Sequence, residues 1–293
     1  GTVKPVSNAI SKYYASTYTD IGRSVVRFIC DNGKWRIATD FEKDTYERKC
    51  SASEEGSVLS GRINYTTKYY CMSDSWVDIM DWSWDIPKSA RLNPNVRYDS
   101  IVDARDGRTY KTIKIGSQTW MAENLNYADT TETFKINSKC LYDKDEDCEI
   151  AGRQYSWSAV IDSVNLESDS IASQLCGDGK TCSLSTDVAG ICPEGWRVPS
   201  KADWETLIAA AGGKQYAGER LMSKNGWSHY TYGTDWYGFS GFSAGSQFAY
   251  FASSTEYDGT TAYCLKLGKE YNHFAYMDKC LKNGRLPIRC VKD

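Results

Sequence analysis

Only two histidines, His229 and His273, occur in the 293 residues, and neither stands beside a recognisable nucleophile motif. Histidine-based catalysis and zinc ligation are poorly provided for. No Cys-x-x-Cys occurs either, so the eleven cysteines lack the spacing of intracellular metal sites. There is no block of Lys and Arg: 35 basic residues stand against 38 acidic ones, a net charge of -3, and nothing could neutralise a row of phosphates. Nucleic acid is excluded as a partner on this balance. No apolar run approaches the roughly 18–20 residues that span a bilayer, and the first residues lack a signal-peptide pattern. The expectation is a soluble chain without a transmembrane segment, with Gly1 marking a mature or trimmed start.

What is present is cysteine, 21 Tyr and 10 Trp, in short segments broken by Gly, Asn, Asp and Ser. That composition suits an oxidised, extracytoplasmic, β-rich protein. Phe28-Ile29-Cys30 and Trp35 recur as Tyr69-Tyr70-Cys71 and Trp76, displaced by 41 residues each time. Each copy reads as strand, short turn, strand. We therefore divide the chain into residues 1–48 (a polar tail and a first small β module), 49–90 (a second module) and a main domain over 98–293. The first copy turns through Asp31-Asn32-Gly33-Lys34, whereas Met72-Ser73-Asp74-Ser75 has no glycine and turns by other means. Position 9, displaced by 41 from Cys50, is Ala, so if Cys50 pairs with Cys71 then Cys30 has lost its partner.

The stretch with Trp82, Trp84, Pro87 and Pro94 reads as a connection, its tryptophans packed at a contact. Beyond it, Asp106-Gly107 and Gly116-Ser117 mark two successive hairpins. A helix is expected from about Arg153, because Trp157, Val160, Ile161 and Val164 fall on one face. The sharpest junction is Cys192-Pro193-Glu194-Gly195-Trp196-Arg197-Val198-Pro199-Ser200. It predicts a short strand, a cap at Ser200 and a helix whose Trp204, Leu207 and Ile208 face the core.

The run Gly107-Arg108-Thr109-Tyr110-Lys111-Thr112-Ile113-Lys114-Ile115-Gly116-Ser117-Gln118-Thr119-Trp120-Met121-Ala122-Glu123-Asn124-Leu125-Asn126-Tyr127 resembles the opening of the Fibrobacter succinogenes major paralogous domain. Gly152-Arg153-Gln154-Tyr155-Ser156-Trp157, the junction at Cys192, Gly238-Phe239-Ser240 and Arg289-Cys290-Val291 follow in that family's order, and the small modules look like repeats that accompany it. The resemblance implies a bacterial secreted or cell-surface protein and assigns no reaction. More distantly, Arg197-Val198-Pro199-Ser200-Lys201-Ala202-Asp203-Trp204-Glu205 is similar to a segment of the formylglycine-generating enzymes. That similarity implies an α+β, C-type lectin-like domain: a twisted antiparallel sheet with two helices and the chain ends together, preceded here by disulfide-linked β modules.

On that fold Cys192 would tie the junction to Cys290 at the last strand, and Cys264 with Cys280 would staple the late hairpin. Cys140 with Cys148 and Cys176 with Cys182 would close short loops. A copper-binding thiol pair, which the enzyme resemblance would imply, is set against these staples. Asp143, Asp145 and Asp147 alternate like calcium ligands, but the glycine and distal glutamate of an EF-hand loop are missing. A solvated acidic loop and no cofactor is the expectation, with calcium the alternative. For ligand binding the aromatic-rich region after Trp227 stands out, and the candidate residues are Trp236, Tyr237, Tyr250, Phe251, Glu256 and Tyr271. Rings beside amides and carboxylates suit a sugar polymer, and equally a wet protein interface. The functional expectation is a non-enzymatic adhesion or carbohydrate-binding module at the cell surface, taking a polysaccharide or a protein. The alternative is a self-associating structural subunit of an extracellular filament, using the β modules, the tail and Cys30; an oxidase is the third reading.

Overall fold

The computed structural model describes residues 3–5, 27–31, 34–55, 57–62, 67–78, 87–128, 138–161, 176–182, 184–185, 187–227, 233–244, 246–269 and 273–292. The chain divides into two units, Gly1–Ile79 and Met80–Asp293. Trp82, Trp84 and the Asn32-Gly33 turn lie outside the described residues.

The first unit repeats itself strand for strand. β1 (Val3–Pro5), β2 (Arg27–Asp31) and β3 (Lys34–Ile37) form one antiparallel sheet; after helix α1 (Asp40–Thr45), β4 (Val58–Ser60), β5 (Lys68–Met72) and β6 (Ser75–Asp78) form another. Cys30 faces Trp35 across the first hairpin as Cys71 faces Trp76 across the second, and Val3 opposes Ile29 as Val58 opposes Tyr70. The glycine-free second turn closes by placing Ser73 and Asp74 both at positive φ, 50° and 60°. Helix α1 starts at a capping box of Thr39 and Glu42. The Arg36 guanidinium grips Glu42 at 2.8 and 2.7 Å and holds its carboxyl down to about 2. From the buried side of α1, Asp44 accepts from the Arg62 amide and the Tyr69 hydroxyl, and Phe41 meets the Tyr69 ring edge-on at 5.3 Å. The helix that follows the first sheet is thereby fixed to the second. Cys50 is bonded to Cys71, and Cys30 is a half-buried thiol.

The second unit is mostly β-sheet with few helices. β7 (Asp99–Val102), β8 (Thr109–Ile115) and β9 (Gln118–Met121) are the two hairpins marked by Asp106-Gly107 and Gly116-Ser117. Then come β10 (Ser138–Lys139), α2 (Asp145–Ala151), β11 (Gln154–Ser156), α3 (Trp157–Val160), β12 (Trp196–Arg197), α4 (Lys201–Ala210) and α5 (Ala217–Leu221). The nine-residue strands β13 (Phe248–Glu256), β14 (Thr261–Lys269) and β15 (His273–Leu281) lead to β16 (Arg285–Leu286) and β17 (Val291–Lys292). Three sheets result, ordered β12-β17-β9-β8-β7, β13-β14-β15 and β10-β11-β16. The final strand inserts between β12 and β9, so the beginning and end of the unit share one sheet.

Helix α4 joins the layers. Ser200 and Asp203 cap it reciprocally, and Arg197 clamps Asp203 at 2.6 and 2.9 Å. Trp204 stacks on Trp120 of β9 at 4.5 Å, touches Phe239 and Phe251, and donates its indole N–H to the Ala252 carbonyl at 3.1 Å. Together with Leu207 and Leu265 these residues form the main core.

Two expectations are corrected. Arg153 does not open a helix: Gln154–Ser156 is a strand pairing with β10 and β16, and α3 begins only after the Ser156 cap. Helical spacing of apolar residues is satisfied there by one turn, and Val164 lies outside the described residues. Cys140–Cys148, Cys192–Cys290 and Cys264–Cys280 are disulfides, whereas Cys176 and Cys182, expected as a bridge, are half-buried thiols. They lie beside each other, and burial first, then Cys176, pushes the Cys182 thiol up to about 12. Among the described residues no helix is long and apolar enough to cross a membrane.

Candidate functional site

A groove on the second unit is built of two hollows that share Asn124, Gly152 and Phe242. The first, about 240 Å³, lies between Lys88 and Arg91, the start of β8, the segment after β9, and α2. The second, about 380 Å³, lies between Tyr142, β11, the start of β13 and β16. Gly152 ends α2 with a φ of 73°, and a Cβ there would come within 2.6 Å of the Asn124 Cβ, so the shared wall requires glycine.

Asn124 is held from both sides, its amide donating to the Ala151 carbonyl and its oxygen accepting from Arg289 Nε, each at 2.8 Å. Arg289 is fully buried on the Phe239 and Phe251 rings and also donates to the Phe239 and Ser240 carbonyls. One guanidinium from the last segment thus fixes the wall. In the first hollow Lys88 pairs with Glu123 at 2.9 Å and Arg108 with Glu149 at 2.7 Å. Buried Arg91 lies over the Phe242 ring, and burial lowers its guanidinium to about 10. Asn126 lines this hollow, while its amide oxygen is enclosed and has no hydrogen-bond partner among the described residues.

The second hollow opens onto the outer face of β13-β14-β15. There Tyr250, Lys266 and Tyr276 are opposed across the strands, as are Phe248, Gly268 and Phe274. A Cβ at Gly268 would meet Phe248 at 2.5 Å; its absence lets the Phe248 and Phe274 rings stack over the strand at 6.0 Å. The Lys266 ammonium lies 4.7 Å from the Phe248 ring and 5.5 Å from that of Tyr250, with Asp278 at 3.8 Å. Burial pulls its pKa down, but hydrogen bonds with Tyr276 and Tyr250 outweigh this and hold it above the ordinary lysine value. Phe248 and Tyr250 belong to both the groove and this platform.

Of the sequence candidates, Tyr250 lines the groove. Phe251, one residue on, points to the opposite face and is wholly core. Glu256 is occupied by the buried Lys282 ammonium and the Cys182 amide. Trp236 is 69% exposed but lies outside the groove, Tyr237 packs against the core, and Tyr271 lies outside the described residues. The three aspartates do not converge: Asp143 pairs with Lys139, Asp145 with Arg153, and Asp147 is buried on α2. Residues i and i+2 of a helix stand about 200° apart around its axis, which separates Asp145 from Asp147. No metal-holding cluster of His, Cys, Asp or Glu occurs among the described residues. Sequence reasoning missed Tyr142, Phe242 and Arg285; Asn124 lay in a quoted motif without a role.

Behind the wall, burial pushes the Asp235 carboxyl up to about 7, against hydrogen bonds from Ser240 and the attraction of Arg289. The ordinary unfolded value is about 3.9, so the folded state favours the proton and this stability, complete below pH 4, is lost as pH rises through 7. Asp235→Asn mimics the protonated form. Its stability relative to wild type is expected to rise between pH 4 and 8, measured by urea midpoints; a flat difference would refute the assignment.

The model of the Fibrobacter succinogenes major domain matches residues 113–292. No curated protein and no solved structure matches the chain.

Proposed function

Because the chain belongs to the Fibrobacter succinogenes major domain family and carries disulfides that fit an extracellular module, we propose that it is a secreted or cell-surface, non-enzymatic module binding a polysaccharide along the groove of the second unit. The observation carrying this reading is the alternation of surfaces: the Tyr142, Phe242, Phe248 and Tyr250 rings lie among the polar groups of Asn124, Gln154, Ser246 and Arg285. Rings cover the apolar faces of pyranoses while amides and guanidinium groups take their hydroxyls. The rigid Arg289–Asn124 wall favours binding because little ordering is left to be done. The C-type lectin-like arrangement belongs to the same proposal, supported by helix α4 between two sheets and by the final strand beside the first ones.

Tyr250→Ala is expected to weaken polysaccharide binding about 3–10-fold, the range of one aromatic contact. Trp236→Ala, outside the groove, should bind like wild type. Depletion from solution by insoluble polysaccharides and affinity electrophoresis read both. Failure of every polysaccharide to retain the folded protein would sink the proposal.

A second reading, a structural subunit joined through the first unit, has one observation in its favour. Cys30 is a thiol where its repeat counterpart Cys71 is bonded to Cys50. A disulfide-linked dimer on non-reducing gels, abolished by Cys30→Ser, would favour it.

A further inference from the structure

One ring of the second hollow stands in a backbone conformation that its residue type disfavours. Tyr142 has φ 60° and ψ 16°, and Asp143 after it has φ 59°, the left-handed region where glycine is at home. A bulky side chain keeps that conformation only where its surroundings impose it. Here they do: the Cys140–Cys148 disulfide closes the loop, the Asp143 amide donates to the Cys140 carbonyl at 3.0 Å, and Lys139 pairs with Asp143 at 3.1 Å. The ring that results is 69% exposed and lines the second hollow instead of joining the core. Backbone strain maintained at the wall of a cavity points to a functional side chain.

The strand pairings set this ring across from the others. β10, which leads into the Tyr142 turn, pairs with β11, β11 pairs with β16, and the Pro287 carbonyl just after β16 accepts from the Ala252 amide of β13. Tyr142 therefore lines the hollow from the β10 side and Phe248 and Tyr250 from the β13 side, with Gln154 and Leu286 between them. A crystalline polymer presents its outer layer as a plane, which meets rings lying on one flat strip. A separated chain can sink between two walls and be covered from both. We propose that the second hollow is a clamp for a single polysaccharide chain, Tyr142 covering one side of a sugar and Phe248 and Tyr250 the other. The ligand class is then separated chains, in solution or at amorphous surfaces, and not crystal faces. At about 380 Å³ the hollow has the size of sites that enclose a small ligand, roughly 300–1,000 Å³, which suits a short run of sugar residues.

This inference rests on the polysaccharide reading above, and the experiment separates the two. Affinity electrophoresis of the full chain in soluble xyloglucan, hydroxyethylcellulose and glucomannan is set beside depletion by microcrystalline cellulose and crystalline chitin. We expect retardation by at least one soluble polymer and no depletion by the crystalline ones. Tyr142→Gly should weaken that retardation about 3–10-fold, the range of one aromatic contact, without lowering the urea midpoint, because glycine adopts the left-handed conformation unstrained. Tyr142→Phe, which keeps the ring, should bind like wild type. If Tyr142→Gly bound like wild type, or lost stability as replacement of a structural tyrosine would, the clamp would be overturned. Depletion by a crystalline polymer as strong as the retardation by soluble chains would also overturn it and leave polysaccharide binding intact. No retention by any of the five polymers would overturn both readings.

Discussion

Replacing Cys192 and Cys290 together by alanine is expected to lower the stability of the second unit by about 4–5 kcal/mol, the chain-entropy value for a loop near 100 residues. The two cysteines are 98 residues apart, and both are buried where β12 and β17 pair. The bond therefore shortens the longest loop closed by any disulfide among the described residues, and it does so at the strand that brings the end of the unit into its first sheet. Tm should fall by about 8–20 °C, at roughly 2–4 °C per kcal/mol for a unit of this size. The denaturant slope should rise as well, because the unfolded chain, released from its crosslink, exposes more surface. Cys264–Cys280, separated by 16, provides the comparison: removing it should cost only about 3 kcal/mol. Equal losses from the two bonds would refute the entropic account and shift the effect to native-state packing.

The second large effect concerns a charge. Lys282 has no accessible side-chain surface, and its ammonium is enclosed by Glu256, the Lys180 carbonyl at 2.7 Å, the Gly259 carbonyl at 3.3 Å and the Trp157 ring. The cluster ties the β13–β14 turn and the end of β15 to the loop at Lys180. Glu256→Leu removes the counterion and leaves a buried cation, which costs about 3–5 kcal/mol. The double variant Glu256→Leu with Lys282→Met removes both charges and keeps the volume, so it should recover most of that loss. Urea midpoints of the two single variants and the double variant give the coupling directly. If Glu256→Leu were as stable as wild type, Glu256 would be free for the ligand role that its sequence position suggested.

That reassignment shows where local reading ends. Tyr250 and Phe251 read alike as aromatic candidates, but a strand sends alternate residues to opposite faces. Both faces of β13 carry rings, so composition does not say which is core; the register against β14 and helix α4 does, placing Phe251 inside and Tyr250 outside. The aspartates at 143, 145 and 147 suit a cation only in an extended loop, and the start of α2 at Asp145 disperses them. Glu256 is claimed by a lysine 26 residues on, a partner that no spacing rule announces.

The sequence by itself determined the local forms: the Cys–Trp hairpin and its copy, the Asp106-Gly107 and Gly116-Ser117 turns, the cap at Ser200 and the apolar face of the helix it opens. Each depends on residues at most a few positions apart, whose conformational preferences act without the rest of the chain. Tertiary structure alone decided the groove. Its wall depends on Arg289 reaching Asn124 across 165 residues, and its charge on side chains from five separate segments. Such contacts form only when β17 enters the first sheet, because the desolvated guanidinium finds all its partners only in that packing.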